Sequence, residues 1–191
     1  MPLNLPTLLT WARILMIPLF LALYYLPESW ITPPHRNYAG AAIFAAASIT
    51  DWFDGWLARK WNQTSAFGAF LDPVADKLMV AAALILLVQL DRVDAWLASI
   101  IIGREITISA LREWMAQVGA SRSVAVSMIG KFKTGAQMVA IIVLLFHQRI
   151  VPWFDMQRFG TVCLLVAALL TLWSMFYYVR MAWPELSGKN K

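Results

Sequence analysis

Residues 51–76 read DWFDGWLARKWNQTSAFGAFLDPVAD, and this stretch places four aspartates inside an otherwise apolar part of the chain. Eight of its residues stand at a fixed spacing, and each of these eight is acidic, basic or small. They are Asp51, Asp54, Gly55, Ala58, Arg59, Gly68, Asp72 and Asp76. A carboxylate near a bilayer is costly unless a partner neutralises it, so such a cluster indicates a functional site. The partners that it favours are a pair of divalent cations and, beyond them, a phosphate substrate.

The rest of the chain indicates an integral membrane protein. Its 191 residues suit a single domain, residues 1–191, and 60% of them are hydrophobic while only 14% are charged. Several apolar stretches approach the roughly 20 residues that a membrane-spanning helix needs. We therefore expect an all-α integral membrane protein with six transmembrane helices. Their predicted positions are 8–26, 38–60, 73–90, 94–117, 125–147 and 153–181.

The positions of lysine and arginine predict how the chain lies in the membrane. With the N-terminus inside, the predicted outer loops hold Arg36, Arg92, Arg149 and Arg158, and the other twelve of the sixteen basic residues fall at or near inner ends. This asymmetry favours cytoplasmic positions for both termini. The aspartate-containing loop then also faces the cytoplasm, where soluble phosphorylated metabolites are found.

The four aspartates form two pairs, each on one helix face. Asp51 and Asp54 are three residues apart and Asp72 and Asp76 are four apart, so each pair shares a face. Pro73 is predicted to lie in the first turn of a helix that Asp72 caps. If the connecting loop folds the helix ends together, four carboxylates meet. Oxygen ligands suit Mg²⁺ or Mn²⁺, and two such ions could clamp the attacking and leaving oxygens of a phosphoryl transfer.

Small and basic residues complete the pattern. Gly55, Ala58 and Gly68 have little bulk, so a nucleotide or diphosphate could approach the backbone closely, and Arg59 offers a planar fork for phosphate oxygens. Taken one at a time, the small residues could equally serve helix packing and the aspartates could pair with Arg or Lys. The complete spacing favours a functional site over these alternatives.

The spacing D-x2-D-G-x2-A-R-x8-G-x3-D-x3-D resembles, without a departure, the signature of the CDP-alcohol phosphotransferase family. The resemblance implies a six-helix, usually dimeric membrane enzyme that moves a substituted phosphate from a CDP-linked donor to an alcohol and releases CMP. It also implies two divalent metal ions, and it makes Asp76 the base for the acceptor hydroxyl. The implied metal ligands are Asp51, Asp54, Asp72 and Asp76. The implied CDP-donor-binding residues are Asp51, Gly55, Ala58, Arg59 and Gly68.

A second group of basic residues bears on the identity of the acceptor. Arg104, Arg112, Lys131 and Lys133 are predicted at the cytoplasmic side of helices 4 and 5, and the two arginines, eight residues apart, share a helix face. An acceptor with its own phosphate would need such a group, whereas serine or a neutral lipid would not. The alternatives are a salt bridge from Arg104 to Glu105 and contacts of the lysines with anionic lipid headgroups.

Three further segments resemble the bacterial members of the family whose acceptor is sn-glycerol 3-phosphate. They are NLPTLLTWAR at 4–13, REITISALREWMA at 104–116 and SVAVSMIGKFKTGAQMVA at 123–140. This wider resemblance implies CDP-diacylglycerol as the donor and sn-glycerol 3-phosphate as the acceptor. It also implies a homodimer among the lipids of the bacterial inner membrane. Thr10 and Arg13 belong to the first segment. The sequence gives Thr10 no role, and Arg13 either snorkels toward the inner membrane surface or contacts a phosphate.

Two other functions stay open at this point. The same chemistry could use another acceptor, such as inositol phosphate, serine or phosphatidylglycerol. A transporter of metal ions or protons could use the aspartates to bind its ion, but it would predict an inverted repeat and carboxylates near the bilayer midplane. No repeat is visible in the sequence, and nothing in it resembles a nucleic-acid-binding module.

Overall fold

The computed structural model consists of six α-helices over the residues that it describes. The backbone is described for residues 5–61, 66–117, 128–148, 153 and 155–186, and side chains for residues 10–50, 71–117, 134–148, 153, 155–181 and 183. The helices are α1 (Leu5–Tyr25), α2 (Pro33–Trp61), α3 (Ala66–Gln89), α4 (Ala95–Gln117), α5 (Met128–Phe146) and α6 (Met156–Leu186). The prediction of an all-α protein with six helices is confirmed, and the helix ends differ by up to seven residues.

Two of these differences involve proline. Helix α2 begins at Pro33, five residues before the predicted start, because proline has a helical φ and needs no N–H partner in a first turn. Helix α3 begins at Ala66, so Pro73 lies inside it and Asp72 lies in its second turn. The prediction that Asp72 caps a helix opened by Pro73 is therefore wrong. Proline deletes one backbone hydrogen bond, but a helix packed among other helices can tolerate that loss.

Neighbouring helices enclose one large apolar core, and a smaller apolar cluster lies between α4 and α6. Helix α5 packs on α6 and α2, α1 packs on α2 and α3, and α4 packs on α3 and α6. The fully buried core side chains come from all six helices, and include Phe20, Phe44, Leu84, Leu87, Ile101, Ile141, Leu144 and Leu164. Two glycines permit close approaches. A Cβ at Gly40 would overlap the Tyr24 hydroxyl, and one at Gly160 would lie 2.7 Å from Leu144 Cγ.

Large apolar side chains also cover the outside of the bundle. Leu15 is 68% exposed on α1, Ile85 is 60% exposed on α3, and Trp173 and Phe176 of α6 are 72% and 68% exposed. A helix that is apolar on all sides is typical of a membrane span, because hydrocarbon tails can cover its outward face. Among the described residues, Met156–Met181 of α6 is long and apolar enough to cross a bilayer, and shorter apolar helices run over Thr10–Tyr25 and Thr134–Phe146.

A group of polar residues joins four parts of the chain at one end of the bundle, which we call the Arg92 end. The Arg92 guanidinium donates to the carbonyls of Leu144 (3.1 Å) and Leu145 (2.9 Å) in the last turn of α5, and to Oδ1 of Asn37 (2.8 Å) in α2. The side chain of Gln157 in α6 donates to the Arg92 carbonyl (2.7 Å). Arg92 therefore supplies donors to carbonyls that α5 itself cannot satisfy.

We expect Arg92→Met to lower the thermal stability of the protein. The methionine fills similar space but leaves the two α5 carbonyls and the buried Asn37 amide without these donors. Hydrogen bonds to a charged group contribute about 1.5–3 kcal/mol, so a fall of about 2–3 kcal/mol is expected. Unfolding in detergent, followed by far-ultraviolet circular dichroism, measures the change. The control is Arg158→Met, since the Arg158 side chain is 87% exposed and forms a surface ion pair with Asp155 across 3.2 Å. Equal midpoints for the two variants would contradict the role of Arg92.

Candidate active site

Two of the four predicted carboxylates lie in the second and third turns of α3. Asp72 and Asp76 are four residues apart on one face of this helix, and both side chains are half-buried. Asp72 lies 20 residues before Arg92, which corresponds to roughly 30 Å along a helix axis. The candidate site is therefore at the opposite end of the bundle from Arg92, and we call this the Asp72 end.

Helix α1 contributes a contact to this site that the sequence does not predict. The Thr10 hydroxyl donates a hydrogen bond to Oδ1 of Asp72, 62 residues further along the chain. Thr10 is only 1% exposed, and Arg13, one turn later on α1, is also 1% exposed. This burial argues against the first alternative for Arg13, snorkelling toward the membrane surface, and leaves its contact with a phosphate as a prediction.

The other motif residues are placed by their helices alone. Asp51, Asp54, Gly55, Ala58 and Arg59 lie in the last three turns of α2. Gly68 lies in the first turn of α3, and both helices extend into the segment that was predicted to be a loop. The side chains of all six lie outside the described ones, so the predicted convergence of four carboxylates stays a prediction. Among the described side chains, no group of three or more His, Cys, Asp or Glu is arranged to hold a metal ion.

The donors that are described suit a divalent metal ion. Asp72 and Asp76 present carboxylate oxygens from adjacent turns of one helix, and oxygen is the donor that Mg²⁺ and Mn²⁺ prefer. The Thr10 hydroxyl bonds to Oδ1 of Asp72, so the carboxylate is held through one oxygen, and a carboxylate has further lone pairs that can ligate a metal ion. Asp51 and Asp54 at the adjoining end of α2 could complete such a site.

Arg104 is buried between α4 and α6. Its side chain is 4% exposed, and its Nη1 lies 2.6 Å from Oε1 of Glu105, while Nη2 donates to the Ser174 hydroxyl of α6 across 3.1 Å. The salt bridge to Glu105 is the structural alternative that the sequence already raised. Its presence does not use every donor, because the buried Arg104 Nε has no hydrogen-bond partner among the described residues.

Arg112 also lies against α6, as expected for a residue on the same face as Arg104. Its guanidinium carbon is 5.4 Å from the centre of the Tyr178 ring, within the range of a cation–π contact. Tyr178 is 2% exposed, whereas Arg112 is exposed. Helix α6 therefore fixes one arginine by a hydroxyl and the next by an aromatic ring. The sequence gives no sign of either partner, because Ser174 and Tyr178 resemble ordinary residues of a membrane helix.

The two lysines of the predicted acceptor group lie in the first turns of α5. Lys131 and Lys133 follow Met128, the first residue of that helix, and their side chains lie outside the described ones. Helix α5 packs against α6, which also contacts Arg104 and Arg112. The four basic residues are thus distributed over two helices that share α6 as a neighbour, and their convergence on one phosphate stays a prediction.

Known proteins resemble this chain over nearly its whole length. The profile of the CDP-alcohol phosphatidyltransferase family matches residues 3–183. The CDP-diacylglycerol–glycerol-3-phosphate 3-phosphatidyltransferase of Escherichia coli strain K12 is 50% identical over 190 residues, which cover 97% of this chain and 98% of that protein. Proteins of the same name from Escherichia coli O157:H7 and Shigella flexneri serotype 5b match to the same extent. The matched region includes both the aspartates and the basic residues.

Proposed function

This chain belongs to the CDP-alcohol phosphatidyltransferase family, and from that premise we propose that it transfers a phosphatidyl group from CDP-diacylglycerol to sn-glycerol 3-phosphate. The products are phosphatidylglycerophosphate and CMP, which makes the protein a transferase of phospholipid biosynthesis. The observation that carries this assignment is the 50% identity, over 97% of the chain, to an enzyme whose name states that donor and that acceptor.

The chemistry follows from the residues at the Asp72 end. Asp76 accepts the proton of the acceptor's C1 hydroxyl as that oxygen attacks the β-phosphorus of the donor, and CMP leaves. Asp51, Asp54, Asp72 and Asp76 would hold two Mg²⁺ or Mn²⁺ ions, which neutralise diphosphate charge when bound. The donor nucleotide binds along the face of α2 that carries Asp51, where small side chains leave room for it. Those residues are Gly55, Ala58 and Gly68, and Arg59 holds a phosphate oxygen.

The basic residues position the acceptor. Arg104 is held by Glu105 and Ser174, and its buried Nε has no hydrogen-bond partner among the described residues. Arg112 is held on the Tyr178 ring, so both guanidiniums are fixed before an anion arrives. With Lys131 and Lys133 they bind the phosphate of sn-glycerol 3-phosphate and orient its C1 hydroxyl toward the donor. Such positioning can supply several kcal/mol of the rate acceleration, because the attacking atom starts close to its target.

The membrane placement supports the same assignment. We infer that all six helices of a single domain, residues 1–191, span the bacterial inner membrane, with both termini and the active site on the cytoplasmic side. The exposed apolar faces of α1, α3 and α6 contact lipid. Acyl chains of donor and product then stay in the bilayer while the charged groups react at its surface. A homodimer is the expected assembly of the family.

CMP release by the purified protein tests the function. The protein receives CDP-diacylglycerol and Mg²⁺ together with one acceptor at a time, chosen from sn-glycerol 3-phosphate, inositol phosphate, serine, phosphatidylglycerol and water. We expect release only with sn-glycerol 3-phosphate, and its loss when EDTA is added. Release with a different acceptor would overturn the role of the basic residues while leaving the aspartate site in place. No release from folded protein with any acceptor would favour an ion transporter.

A further inference from the structure

We propose that Thr10 is a positioning residue of the active site, which orients the carboxylate of Asp72 toward the bound metal ion. The proposal rests on the proposed function, because it takes Asp72 to be a metal ligand. Its basis is the hydrogen bond that the Thr10 hydroxyl donates to Oδ1 of Asp72. The eight-residue signature includes no residue of α1, and the resemblance at residues 4–13 contains Thr10 but gives it no role.

The acceptor of this hydrogen bond differs from that of most other helical hydroxyls in the described part of the chain. The hydroxyls of Ser48, Thr50, Ser99, Thr107, Ser109 and Thr161 each donate to the carbonyl four residues earlier in their own helix, across 2.7–2.9 Å. That local bond is the ordinary choice for serine and threonine inside a helix. The Thr10 hydroxyl donates to a carboxylate of another helix, and charge-assisted bonds of this kind are stronger than neutral ones.

The contact has a chemical effect on Asp72. An aspartate side chain has two rotatable bonds, and a half-buried carboxylate with no fixed donor can turn its oxygens in several directions. A donor on Oδ1 selects one orientation and directs the remaining lone pairs to a defined position. Partners of metal ligands act in this way, and losing one typically weakens metal binding by about 10–100-fold.

Helix packing explains the buried Thr10 hydroxyl less well than orientation of the Asp72 carboxylate does. Helices α1 and α3 already pack through apolar side chains, and the core includes Phe20 of α1 together with Leu84 and Leu87 of α3. A valine at position 10 would fill the same space and would not need a polar partner. The buried hydroxyl is therefore best explained by what it does to the carboxylate.

The test compares Thr10→Val with Thr10→Ser in the full-length protein in detergent. Valine keeps the shape and removes the hydroxyl, while serine keeps the hydroxyl and removes a methyl group. The probe is Mn²⁺ alone, titrated into each protein while electron paramagnetic resonance records the free ion. We expect Thr10→Val to weaken Mn²⁺ binding about tenfold and Thr10→Ser to stay within about threefold of the original protein. Thr161→Val is the control, because its hydroxyl donates to the Gln157 carbonyl 2.9 Å away in α6.

Activity supplies a second readout. The apparent constant for Mg²⁺ should rise in Thr10→Val, while the Michaelis constant for sn-glycerol 3-phosphate stays unchanged, since Thr10 acts through Asp72 and not through the acceptor. Unchanged Mn²⁺ affinity in a folded Thr10→Val protein overturns the proposal, as does equal weakening by serine and valine. If valine prevents folding, Thr10→Ala takes its place under the same criteria. Failure of the proposed function is distinct, because it would show as absent CMP release by the original protein.

Discussion

Asp76→Asn is expected to reduce CMP release at least about 100-fold, because asparagine is a poor proton acceptor and a weaker metal ligand than a carboxylate. Asp76 lies in the third turn of α3, four residues after Asp72, so both proposed roles meet in one side chain. The amide has nearly the same shape, and the helix around it should therefore form as before. Loss of turnover without loss of folding is the expected signature.

The measurement is CMP release at saturating CDP-diacylglycerol and sn-glycerol 3-phosphate. The elution volume in size-exclusion chromatography and the unfolding midpoint of the same sample show whether the variant is folded. Asp91→Asn serves as the matched control. Asp91 lies at the Arg92 end, is exposed, and has a φ of 54°, which asparagine adopts readily. Its activity should be unchanged. Ordinary activity in a folded Asp76→Asn protein would refute the assignment of Asp76.

Lys133→Ala is expected to raise the Michaelis constant for sn-glycerol 3-phosphate about 30-fold while that for CDP-diacylglycerol changes less. The lysine lies early in α5 and is proposed to bind the acceptor phosphate, and a charge-assisted hydrogen bond of about 2 kcal/mol corresponds to this factor. The donor has its own contacts at the aspartates. The substitution should therefore change the Michaelis constant of the acceptor more than that of the donor.

Initial rates measured against each substrate in turn test this difference. Arg158→Ala is the control that also removes one positive charge, and Arg158 is 87% exposed near the start of α6. It should leave both constants unchanged. An unchanged acceptor constant in Lys133→Ala would remove Lys133 from the site. Equal increases for the donor and the acceptor would instead indicate a general effect of charge on anionic substrates.

The sequence predicts the six helices well because apolar runs and turn residues are local signals. It fails at Pro73, where the usual place of proline in a first turn competes with continuous small and apolar residues from Ala66 onward. The helix continues through the proline, and its missing N–H leaves the carbonyl of residue 69 without its usual partner. Packing against α1 and α4 decides such a case, and packing cannot be read from local sequence.

The candidate site shows the same limit. Spacing alone relates Asp72 to Asp76 and Arg104 to Arg112, because each pair lies on one helix. Pairs that join two helices, such as Thr10 with Asp72 or Arg104 with Ser174, are separated by 62 and 70 residues and follow from the fold alone. The identity of the acceptor came from similarity over the whole chain, since a group of basic residues recognises a phosphate and not the molecule that carries it.

The hydrogen bonds of Arg92 fix the relative positions of the helices at one end of the bundle, far from the candidate site. They fasten α2, α5 and the α3–α4 turn to one another about 30 Å from Asp72. A rotation of about 2° around that point would move the far ends of the helices by about 1 Å, which is enough to change the rate of a reaction that depends on close approach. Substitutions of Arg92 or its partners can therefore alter turnover without contacting a substrate. For a given rotation, the displacement at the Asp72 end increases with the length of each helix.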